Sequence, residues 1–348
     1  MKIRLLIVGG KHIWSIENFY YKYLLKLDVE VKLFPAQSLF FDYYQKNIAN
    51  KIMHRVGLSA FNYKIQKQFK KQVESYKPNI IWVFKGMEIS PSSLKWAKAK
   101  GIKLVAYNPD NPFIFSSRGS GNKNVRNSIP LYDLHLTYNN EVKKRIEEVY
   151  HLPVHILPFG YEFDDNELIN YKKEEEISKI CFLGNPDTFR ASFILQLADS
   201  GLPIDVYGYN WDKFVSHSII TIYPVVKSDE IWKILIKYRV QLNIMRPHNL
   251  NSHNMRSFEI AGVGGIQLAP DTIEHKQYFT EGKEIFLYKG IADCIKKAVY
   301  LLELDKEEAN KIRLAAKRKS AQSGYSYFER AKQIVNYFTP LINDGTFI

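Results

Sequence analysis

The sequence predicts an α/β protein of two domains, each built on a mostly parallel β-sheet covered by helices on both faces. Short apolar runs alternate with helical patterns along the 348 residues, as in repeated strand–helix units. The runs are almost continuously apolar, which is typical of parallel strands buried on both faces. The alternation stops in the polar stretch 161–177 and restarts at Ile177. A chain of this length also favours about two domains.

The N-terminal half begins with the apolar run Ile3–Val8, which leads into Gly9-Gly10 and a helical pattern over 13–27. Further helical patterns occupy a long stretch within 42–77, with a break expected at Gly57, and then 91–100 and 140–150. The other predicted strands are Val29–Phe34, Ile80–Phe84, Ile102–Tyr107, Leu134–Tyr138 and Val154–Leu157.

The C-terminal half repeats this alternation. Its predicted strands are Ile180–Leu183, Ile204–Tyr207, Ile219–Ile222, Val240–Met245 and Gly265–Ala269. Its predicted helices are Phe189–Ser200, Asp229–Tyr238 and Ser252–Ala261, and the tail 291–338 has a helical pattern throughout.

These patterns divide the chain into four parts. We expect an N-terminal domain (1–160), a linker (161–177), a C-terminal domain (178–325) and a final segment (326–348). The helix of the final segment is expected to cross back onto the N-terminal domain. The central cleft between two facing domains of this kind is the expected place for a ligand.

The composition excludes several classes of protein. Cys181 and Cys294 are too few for a disulfide framework, and both are expected to be buried apolar side chains. No window approaches the roughly 20 apolar residues that span a bilayer. The apolar run near the N-terminus is too short for a signal-peptide core. We expect a reducing, cytoplasmic setting and exclude secreted, collagen-like and integral membrane proteins.

The positive charge is concentrated in the N-terminal half. Residues 1–165 carry 25 Lys and Arg against 14 Asp and Glu, whereas the remainder carries 24 against 22. The region 45–77 alone has eight basic residues and one acidic residue, Glu74, interleaved with apolar ones. It is either a solvated helix face or a contact for an anionic partner. That partner would be the inner surface of the membrane, bearing a lipid-linked acceptor, or an acidic glycan. Nucleic acid is not expected, because no recognised binding motif is present.

Several familiar catalytic motifs are missing. Gly9-Gly10 is followed by Lys11-His12, so there is no Gly-x-Gly-x-x-Gly after the first strand. There is also no Gly-Lys-Ser/Thr phosphate loop, no Gly-x-Ser-x-Gly and no His-Glu-x-x-His. The sequence therefore disfavours dehydrogenases, kinases, hydrolases and zinc enzymes.

The densest polar segment of the chain runs from Asn243 to Glu259, between a buried strand and a helix. We expect Ser252 to cap this helix, whose first backbone N–H groups would be open to an anion. Arginines and a histidine nearby suit a phosphate or diphosphate, and Glu259 suits the two hydroxyls of a ribose. The alternative is a capping and salt-bridge network at a domain surface. We favour the ligand, because so many polar groups between apolar strands are costly without one.

At these residues the chain resembles a known family. The run Arg246–Gly265 resembles the C-terminal signature of CgeB-like glycosyltransferases, which belong to the GT-B class of two Rossmann-like domains. Phe182–Arg190 is similar to the first strand and loop of their donor domain, and Val206–Trp211 to the segment after its second strand. Asn108–Phe113 is similar to an acidic turn at the cleft edge, and Pro158–Gly160 precedes the linker.

The resemblance implies a set of donor-binding residues. Glu259 occupies the place of a glutamate that holds the ribose, whereas Asn251 stands where related retaining enzymes have another glutamate. Tyr223 and Val225 lie where the base would be held, unless they form a simple strand end. Gly184-Asn185 is either a diphosphate loop or an ordinary turn. The complete implied set is Gly184, Asn185, Arg190, Tyr223, Val225, Arg246, Asn251, His253, Asn254, Arg256 and Glu259.

In the N-terminal half, Asp110 and His12 are the candidate catalytic residues. Asp110 is bracketed by prolines in a turn after a strand, so it is a general base, a ligand of an acceptor hydroxyl or an Asx-turn residue. His12 has a structural role as its alternative. The residues expected near the acceptor or the cleft are Gly9, Gly10, Glu88 and Asn111.

Together these features predict a metal-independent glycosyltransferase of hexosyltransferase type, with no cofactor. The donor would be a nucleotide diphosphate sugar, with UDP or dTDP preferred, and the acceptor a glycan or lipid-linked hydroxyl in bacterial surface glycan synthesis. We expect a cytoplasmic protein with peripheral membrane contact through 45–77. The alternatives are a sugar-nucleotide epimerase on the same fold and a catalytically silent coat or assembly protein.

Overall fold

The computed structural model describes residues 2–56, 59–115, 120–163, 175–226, 228–246 and 251–343, without the side chains of 54, 228 and 229. The chain divides into two compact units. Unit 1 comprises residues 1–158 and 327–348, and unit 2 comprises residues 159–326. The chain therefore leaves unit 1, completes unit 2 and returns to unit 1. Most of the expected linker, 164–174, lies outside the described residues.

Unit 1 is built on a six-stranded parallel sheet in the order β2-β1-β3-β4-β5-β6. The central strand β3 is buried along its whole length, as a continuous apolar run requires when both faces of a sheet are covered. The strands are β1 (Arg4–Val8), β2 (Glu30–Phe34), β3 (Ile80–Phe84), β4 (Lys103–Asn108), β5 (Leu134–Thr137) and β6 (Val154–Ile156).

Seven helices of unit 1 precede its last strand. They are α1 (Ile16–Leu25), α2 (Ala36–Lys46), α3 (Ile48–Arg55), α4 (Phe61–Tyr76), α5 (Pro91–Lys98), α6 (Lys123–Ser128) and α7 (Asn140–Tyr150). The long helix expected within 42–77 is thus divided among α2, α3 and α4. One break falls at the extended residue Asn47; the break predicted at Gly57 lies outside the described residues. In α4, Ile65, Phe69 and Val73 are buried one turn apart and anchor this helix to the core.

Unit 2 has a second six-stranded parallel sheet, in the order β12-β11-β10-β7-β8-β9. Numbered from its first strand, this is the 3-2-1-4-5-6 order of the Rossmann fold. The predicted α/β class is therefore confirmed in both units. The strands are β7 (Ile177–Leu183), β8 (Ile204–Tyr207), β9 (Ile220–Tyr223), β10 (Tyr238–Leu242), β11 (Gln267–Pro270) and β12 (Phe286–Tyr288).

The described helices of unit 2 are α8 (Thr188–Asp199), α9 (Ser228–Lys237), α10 (Met255–Val263), α11 (Ile273–Tyr278), α12 (Gly290–Glu303) and α13 (Lys306–Gln322). The helical tail expected over 291–338 is interrupted twice, at Leu304 and near Gly324. Both cysteines are buried and unpaired, as predicted.

The last helix, α14 (Tyr327–Asn343), belongs to unit 1 and packs against α1. Its aromatic side chains insert among those of the first sheet. Tyr327 lies 5.0 Å from Phe19 between ring centroids, and Phe338 lies 5.4 Å from Trp82. Within the described residues, no helix is both long enough and apolar enough to cross a membrane.

Candidate functional site

Each sheet has one point where the strand order reverses, and ligands of open α/β sheets bind beyond the carboxyl ends of the strands at that point. In unit 1 it lies between β1 and β3, and in unit 2 between β7 and β10. Because Leu242 of β10 pairs with Phe182 of β7, the loops that follow these strands emerge side by side. Most of the predicted donor residues belong to these two loops or to α10.

The loop after β7 is fixed to the loop after β8 by backbone contacts. The Gly184 N–H donates to the Tyr207 carbonyl, and the Gly184 carbonyl accepts from the Trp211 indole, both at 2.9 Å. A Cβ on Gly208 would lie 2.4 Å from the Gly184 carbonyl oxygen, so only glycine fits there. Asn185 completes the connection, since its Oδ1 accepts from the Tyr209 N–H at 3.0 Å. The loop is thus rigid, but the backbone groups of Gly184 are already used by the protein.

Arg190, in the first turn of α8, joins the two sides of the switch point. Its Nη2 donates to the Ile244 carbonyl beyond β10 at 2.8 Å, and its Nη1 to the Asn185 carbonyl beyond β7 at 3.1 Å. The guanidinium is largely buried, with 11% of the side chain exposed. Arg190 therefore acts first as a clamp on the site, and its charge lies at the centre of it.

The charges of two further arginines, Arg246 and Arg256, act on Arg190. Burial, followed by the charges of Arg246 and Arg256, lowers the pKa of Arg190 to about 10, while Asp187 opposes them. Asp187 caps α8 by accepting from the Arg190 N–H at 2.9 Å, and its Oδ2 lies 4.0 Å from the half-exposed Arg246. Asp187 and Glu259, which is paired with Arg256, thus offset two of the three guanidinium charges. The remaining positive charge suits an anionic ligand.

Asn254, and not Ser252, caps the N-terminus of α10. Its side chain accepts from the Ser257 N–H at 3.1 Å, and Ser257 returns the bond in a capping box. The expectation for Ser252 was wrong because its hydroxyl is directed instead to Glu274, 2.5 Å away. The Asn254 amide also donates to Asn243 Oδ1 at 2.8 Å, which ties the helix start to the end of β10.

A buried polar network supports this cap from behind. Ser257 Oγ lies 2.9 Å from His275 Nε2, and His275 Nδ1 lies 2.9 Å from the Pro270 carbonyl. Since a carbonyl only accepts, Nδ1 carries the proton and Nε2 accepts from Ser257. Burial lowers the pKa of His275 to about 4, so the ring is neutral near pH 7.

His253 is not at the surface of the site. Its ring is fully buried, with Nδ1 2.7 Å from Glu274 Oε2, and it packs edge-to-face on Phe258 and Tyr278. In this conformation the ring is not accessible to a diphosphate. Its role is to hold the segment before α10 against α11, so the predicted diphosphate contact is replaced by a structural one.

Glu259 and Arg256 form an ion pair one turn apart on α10, as their spacing predicts. Glu259 is buried, and burial raises the pKa of its carboxyl while Arg256 opposes the shift. The Arg256 Nε is buried without a hydrogen-bond partner among the described residues. A buried donor next to a paired carboxylate is unusual and is satisfied if a ligand supplies an acceptor.

The remaining predicted donor residues lie at the margin. Tyr223 ends the edge strand β9, and its ring stacks on Tyr207 at 4.7 Å. Val225, two residues further on, is 41% exposed, and Asn251 is exposed as well. The structure therefore gathers the arginines, Asn185, Asn254 and Glu259 and leaves these three at the periphery.

In unit 1 the loop after β1 is built around a buried carboxyl. The Gly10 N–H donates to Glu17 Oε1 at 2.9 Å, and a Cβ on Gly9 would lie 2.4 Å from the same oxygen. Burial raises the pKa of Glu17. His12 lies outside this arrangement, exposed and stacked on Trp14 at 5.2 Å between ring centroids.

The loops after β3 and β4 bring further charges to the same switch point. Lys85 Nζ forms an ion pair with Asp110 Oδ2 at 2.6 Å. Burial raises the pKa of both Glu17 and Glu88, and the Lys85 charge opposes that rise. Asp110 sits in a turn held by its neighbours, because its N–H donates to Asn108 Oδ1 at 3.0 Å and Asn111 Oδ1 accepts from Phe113 at 2.9 Å. Burial raises the pKa of Glu88 to about 7.

Sequence reasoning missed several of these groups: Glu17 and Lys85 in unit 1, and Asp187, Ser257, Glu274 and His275 in unit 2. Asp187 was hidden in a turn, although an Asp directly after Asn-Pro and before a helical pattern is a recognisable helix cap. Glu274 and His275 lie in α11, which no apolar pattern predicted, and they reach the site only through tertiary contacts. Among the described residues, no three His, Cys, Asp or Glu side chains lie close enough to hold a metal ion.

The C-terminal part of the chain is similar to a known protein family. Residues 190–336 match the sequence profile of a family described as glycosyl transferase-like. That segment begins at Arg190 and includes the whole arginine cluster and α10. No curated protein matches the sequence. The CgeB-like subfamily stays a prediction.

Solved structures resemble the whole chain. A glycosyltransferase from Rickettsia africae ESF-5 matches over 99% of this chain and 100% of its own, with 11% identity and a TM-score of 0.71. HepE from Anabaena, in complex with UDP and glucose, matches over 97% and 99%, with 11% identity and a TM-score of 0.63. A Listeria monocytogenes protein described as a UDP-N-acetylglucosamine 2-epimerase matches over 100% of both chains, with 13% identity and a TM-score of 0.59.

At such low identity these likenesses concern the fold. The chain has the GT-B fold, built from two parallel six-stranded sheets with flanking helices.

Proposed function

We propose that this GT-B protein transfers a sugar from a nucleotide diphosphate sugar to a hydroxyl group of a glycan acceptor. The observation that carries the proposal is the cluster of Arg190, Arg246 and Arg256 at the switch point of unit 2, beside the N-terminus of α10. When the bond between the sugar and the diphosphate breaks, negative charge develops on the leaving phosphate. Fixed guanidinium groups and helix N–H groups would stabilise that charge without reorganising.

Glu259 supports a nucleotide rather than a bare phosphate. Its carboxylate, held by Arg256, can accept from the two ribose hydroxyls, whereas it would repel an isolated phosphate. The matching profile over 190–336 and the UDP complex of HepE agree with this assignment. We propose UDP or dTDP as the carrier, a hexose as the transferred sugar and the synthesis of bacterial surface glycans as the setting. Because the arginines supply positive charge, we propose that no metal is needed.

A thermal-shift panel of UDP, dTDP, GDP and CDP tests the donor site. We expect UDP or dTDP to raise the melting temperature, with no change on adding EDTA. Glu259→Ala should reduce the shift, whereas Glu281→Ala, an exposed carboxylate of the same unit, should not. Stabilisation by none of the four nucleotides would contradict the proposal.

The epimerase remains the nearest alternative, since the Listeria protein has the same fold. The two activities differ in their need for an acceptor. An epimerase converts a UDP sugar without any acceptor. If the protein incubated with UDP-N-acetylglucosamine alone forms a new UDP sugar, the result would favour the epimerase. A transferase leaves the donor unchanged until a hydroxyl acceptor is present.

We also propose that the region 45–77 contacts an anionic membrane surface. On α3, Ile48 and Ile52 are 75% and 53% exposed, and Val56, just beyond its end, is 60% exposed. Lysines and Arg55 surround these apolar side chains, a combination that suits the headgroup region of a bilayer. Vesicles containing phosphatidylglycerol should sediment the protein and vesicles of phosphatidylcholine should not. Ile52→Glu should abolish sedimentation; equal binding by this variant would contradict the contact.

A further inference from the structure

Unit 1 contains a large cavity that the donor site does not use. Its volume is about 740 Å³, enough for a sugar of one or two rings with room to spare. It is enclosed by α2, α3, α4 and the loops that follow β3 and precede α6. Its lining residues include Phe40, Phe41, Tyr44, Phe61 and Glu88.

The lining combines flat aromatic faces with hydrogen-bonding groups. Four aromatic rings form the apolar part, and Phe40 is stacked near Tyr44 at 5.6 Å between centroids. Four amide side chains supply polar atoms. Two of them, Asn122 and Asn124, are fixed because each donates to the Met87 carbonyl at 2.9 Å. A pyranose ring has this same dual character, with C–H faces that pack on aromatic rings and hydroxyls that bond to amides.

The cavity reaches the switch point of the unit 1 sheet. Gln37 Oε1 would lie 2.9 Å from a Cβ on Gly10, in the loop after β1. Glu88 stands on the other side of that point, four residues beyond the end of β3. A ligand in the cavity is therefore held beyond the carboxyl ends of β1 and β3, where open α/β sheets carry out their chemistry.

Glu88 is held in place by its backbone. Gln66 Nε2 donates to the Glu88 carbonyl at 2.7 Å, and Gln66 Oε1 accepts from the Ser90 N–H at 3.0 Å. The charged groups that face its carboxyl are Lys85 and Glu17, and Arg55 lines the same cavity. The Lys85 ammonium forms an ion pair with Asp110, so the negative charge of Asp110 is already balanced by a cation.

We propose that this cavity binds the terminal sugar of a glycoside acceptor, and that Glu88 rather than Asp110 takes the proton from the attacking hydroxyl. The inference rests on the proposed function. In the transfer, the acceptor oxygen forms a bond to the anomeric carbon while the bond from that carbon to the diphosphate breaks. The hydroxyl proton passes to a Glu88 carboxylate oxygen, and the diphosphate leaves with the bonding electron pair.

The acidity of Glu88 fits this role. Burial, its largest influence, and the Glu17 carboxyl raise the pKa of Glu88 to about 7, while Lys85 lowers it. A general base works best when its pKa lies near the working pH. The transfer rate should therefore rise with pH through the neutral range.

Acceptor binding tests the cavity without requiring turnover. In saturation-transfer NMR, para-nitrophenyl glycosides of glucose, galactose and N-acetylglucosamine are offered alone, and the same sugars on a short polyprenyl phosphate form a second arm. We expect at least one sugar to bind in one arm, and Phe41→Ala to weaken it about fivefold or more. Leu25→Ala, which removes another partly exposed apolar side chain of unit 1, should change nothing. Binding by none of the probes, or equal effects of the two variants, would overturn the cavity as an acceptor site.

Transfer from UDP-glucose or UDP-N-acetylglucosamine to the glycoside that binds then tests Glu88. Glu88→Gln should lower kcat about 100-fold or more and abolish the rise with pH, with the acceptor KM little changed. Glu148→Gln, an exposed carboxylate on α7, should transfer like the unaltered protein. Retention of more than a third of kcat by Glu88→Gln would overturn its role as base.

The two proposals fail in different ways. If the glycosides bind but none of the nucleotides stabilises the protein, the donor site is wrong and the acceptor cavity stands. If UDP stabilises both the unaltered protein and Glu88→Gln while no glycoside binds either, the donor site stands and the cavity is wrong.

Discussion

The switch points of the two sheets carry opposite charge. In unit 2, Arg190, Arg246 and Arg256 lie with two carboxylates, Asp187 and Glu259. In unit 1, Glu17, Glu88 and Asp110 lie with one cation, Lys85. The net charges of the two halves are arranged the other way, since residues 1–165 are strongly basic and the remainder is nearly neutral. The local charge at the strand ends therefore cannot be read from the net charge of each half. A site that stabilises a leaving anion and a site that accepts a proton need these opposite environments.

The largest effect is expected when an arginine of the positively charged site in unit 2 is removed. Arg256→Gln should weaken UDP binding about 10- to 100-fold, because it removes one charge-assisted hydrogen bond and leaves the Glu259 carboxylate unpaired near the phosphates. Isothermal titration measures the affinity. Arg318→Gln, an exposed arginine on α13, is the matched control. A loss smaller than threefold would show that the cluster does not bind the nucleotide.

The second prediction concerns the rigidity of the unit 2 site. Ser257→Ala removes the hydroxyl that joins Asn243, Asn254 and His275, and it leaves buried polar groups without partners. We expect it to destabilise the protein by about 2 kcal/mol. The shift of the urea unfolding midpoint measures this, and Ser192→Ala, at an exposed position on α8, should shift it by much less. Equal midpoints would mean that the network does not support the site.

The smallest effect is expected in unit 1, through the pH dependence of stability. Because the pKa of Glu88 is raised on folding, the folded state binds more protons than the unfolded state between about pH 4.5 and pH 7. The contribution of Glu88 to the free energy of unfolding therefore falls as pH rises through that window. Glu88→Gln should therefore become steadily more stable than the unaltered protein as pH rises from 5 to 8. Parallel melting temperatures across this range would contradict the burial of the carboxyl.

Much of the fold follows from local sequence patterns. Ile204–Tyr207 is an apolar run bounded by turn residues, and its predicted limits agree with β8. The division of the helix at 42–77 was predicted only in part, since a break was expected at Gly57 but not at the extended residue Asn47, which separates α2 from α3. β12 was missed because a strand of three residues is too short to show a pattern.

The site was predictable where its residues act locally. Arg256 and Glu259 meet because residues three apart share a helix face, and that contact could be read from spacing alone. His253 and Ser252 could not be placed in this way, since both are directed to Glu274, more than 20 residues further along the chain. The same limit applies to Asp110, whose partner Lys85 lies on another strand end.

The return of α14 to unit 1 has a consequence for the order in which the protein is made. On the ribosome, the first 158 residues emerge before the helix that completes their packing, and all of unit 2 is synthesised in between. Until Tyr327 and Phe338 arrive, the rings of Phe19, Tyr20 and Trp82 lack their partners on one face of the nascent sheet. Unit 2 can therefore reach its final packing before unit 1 does, although its synthesis begins later.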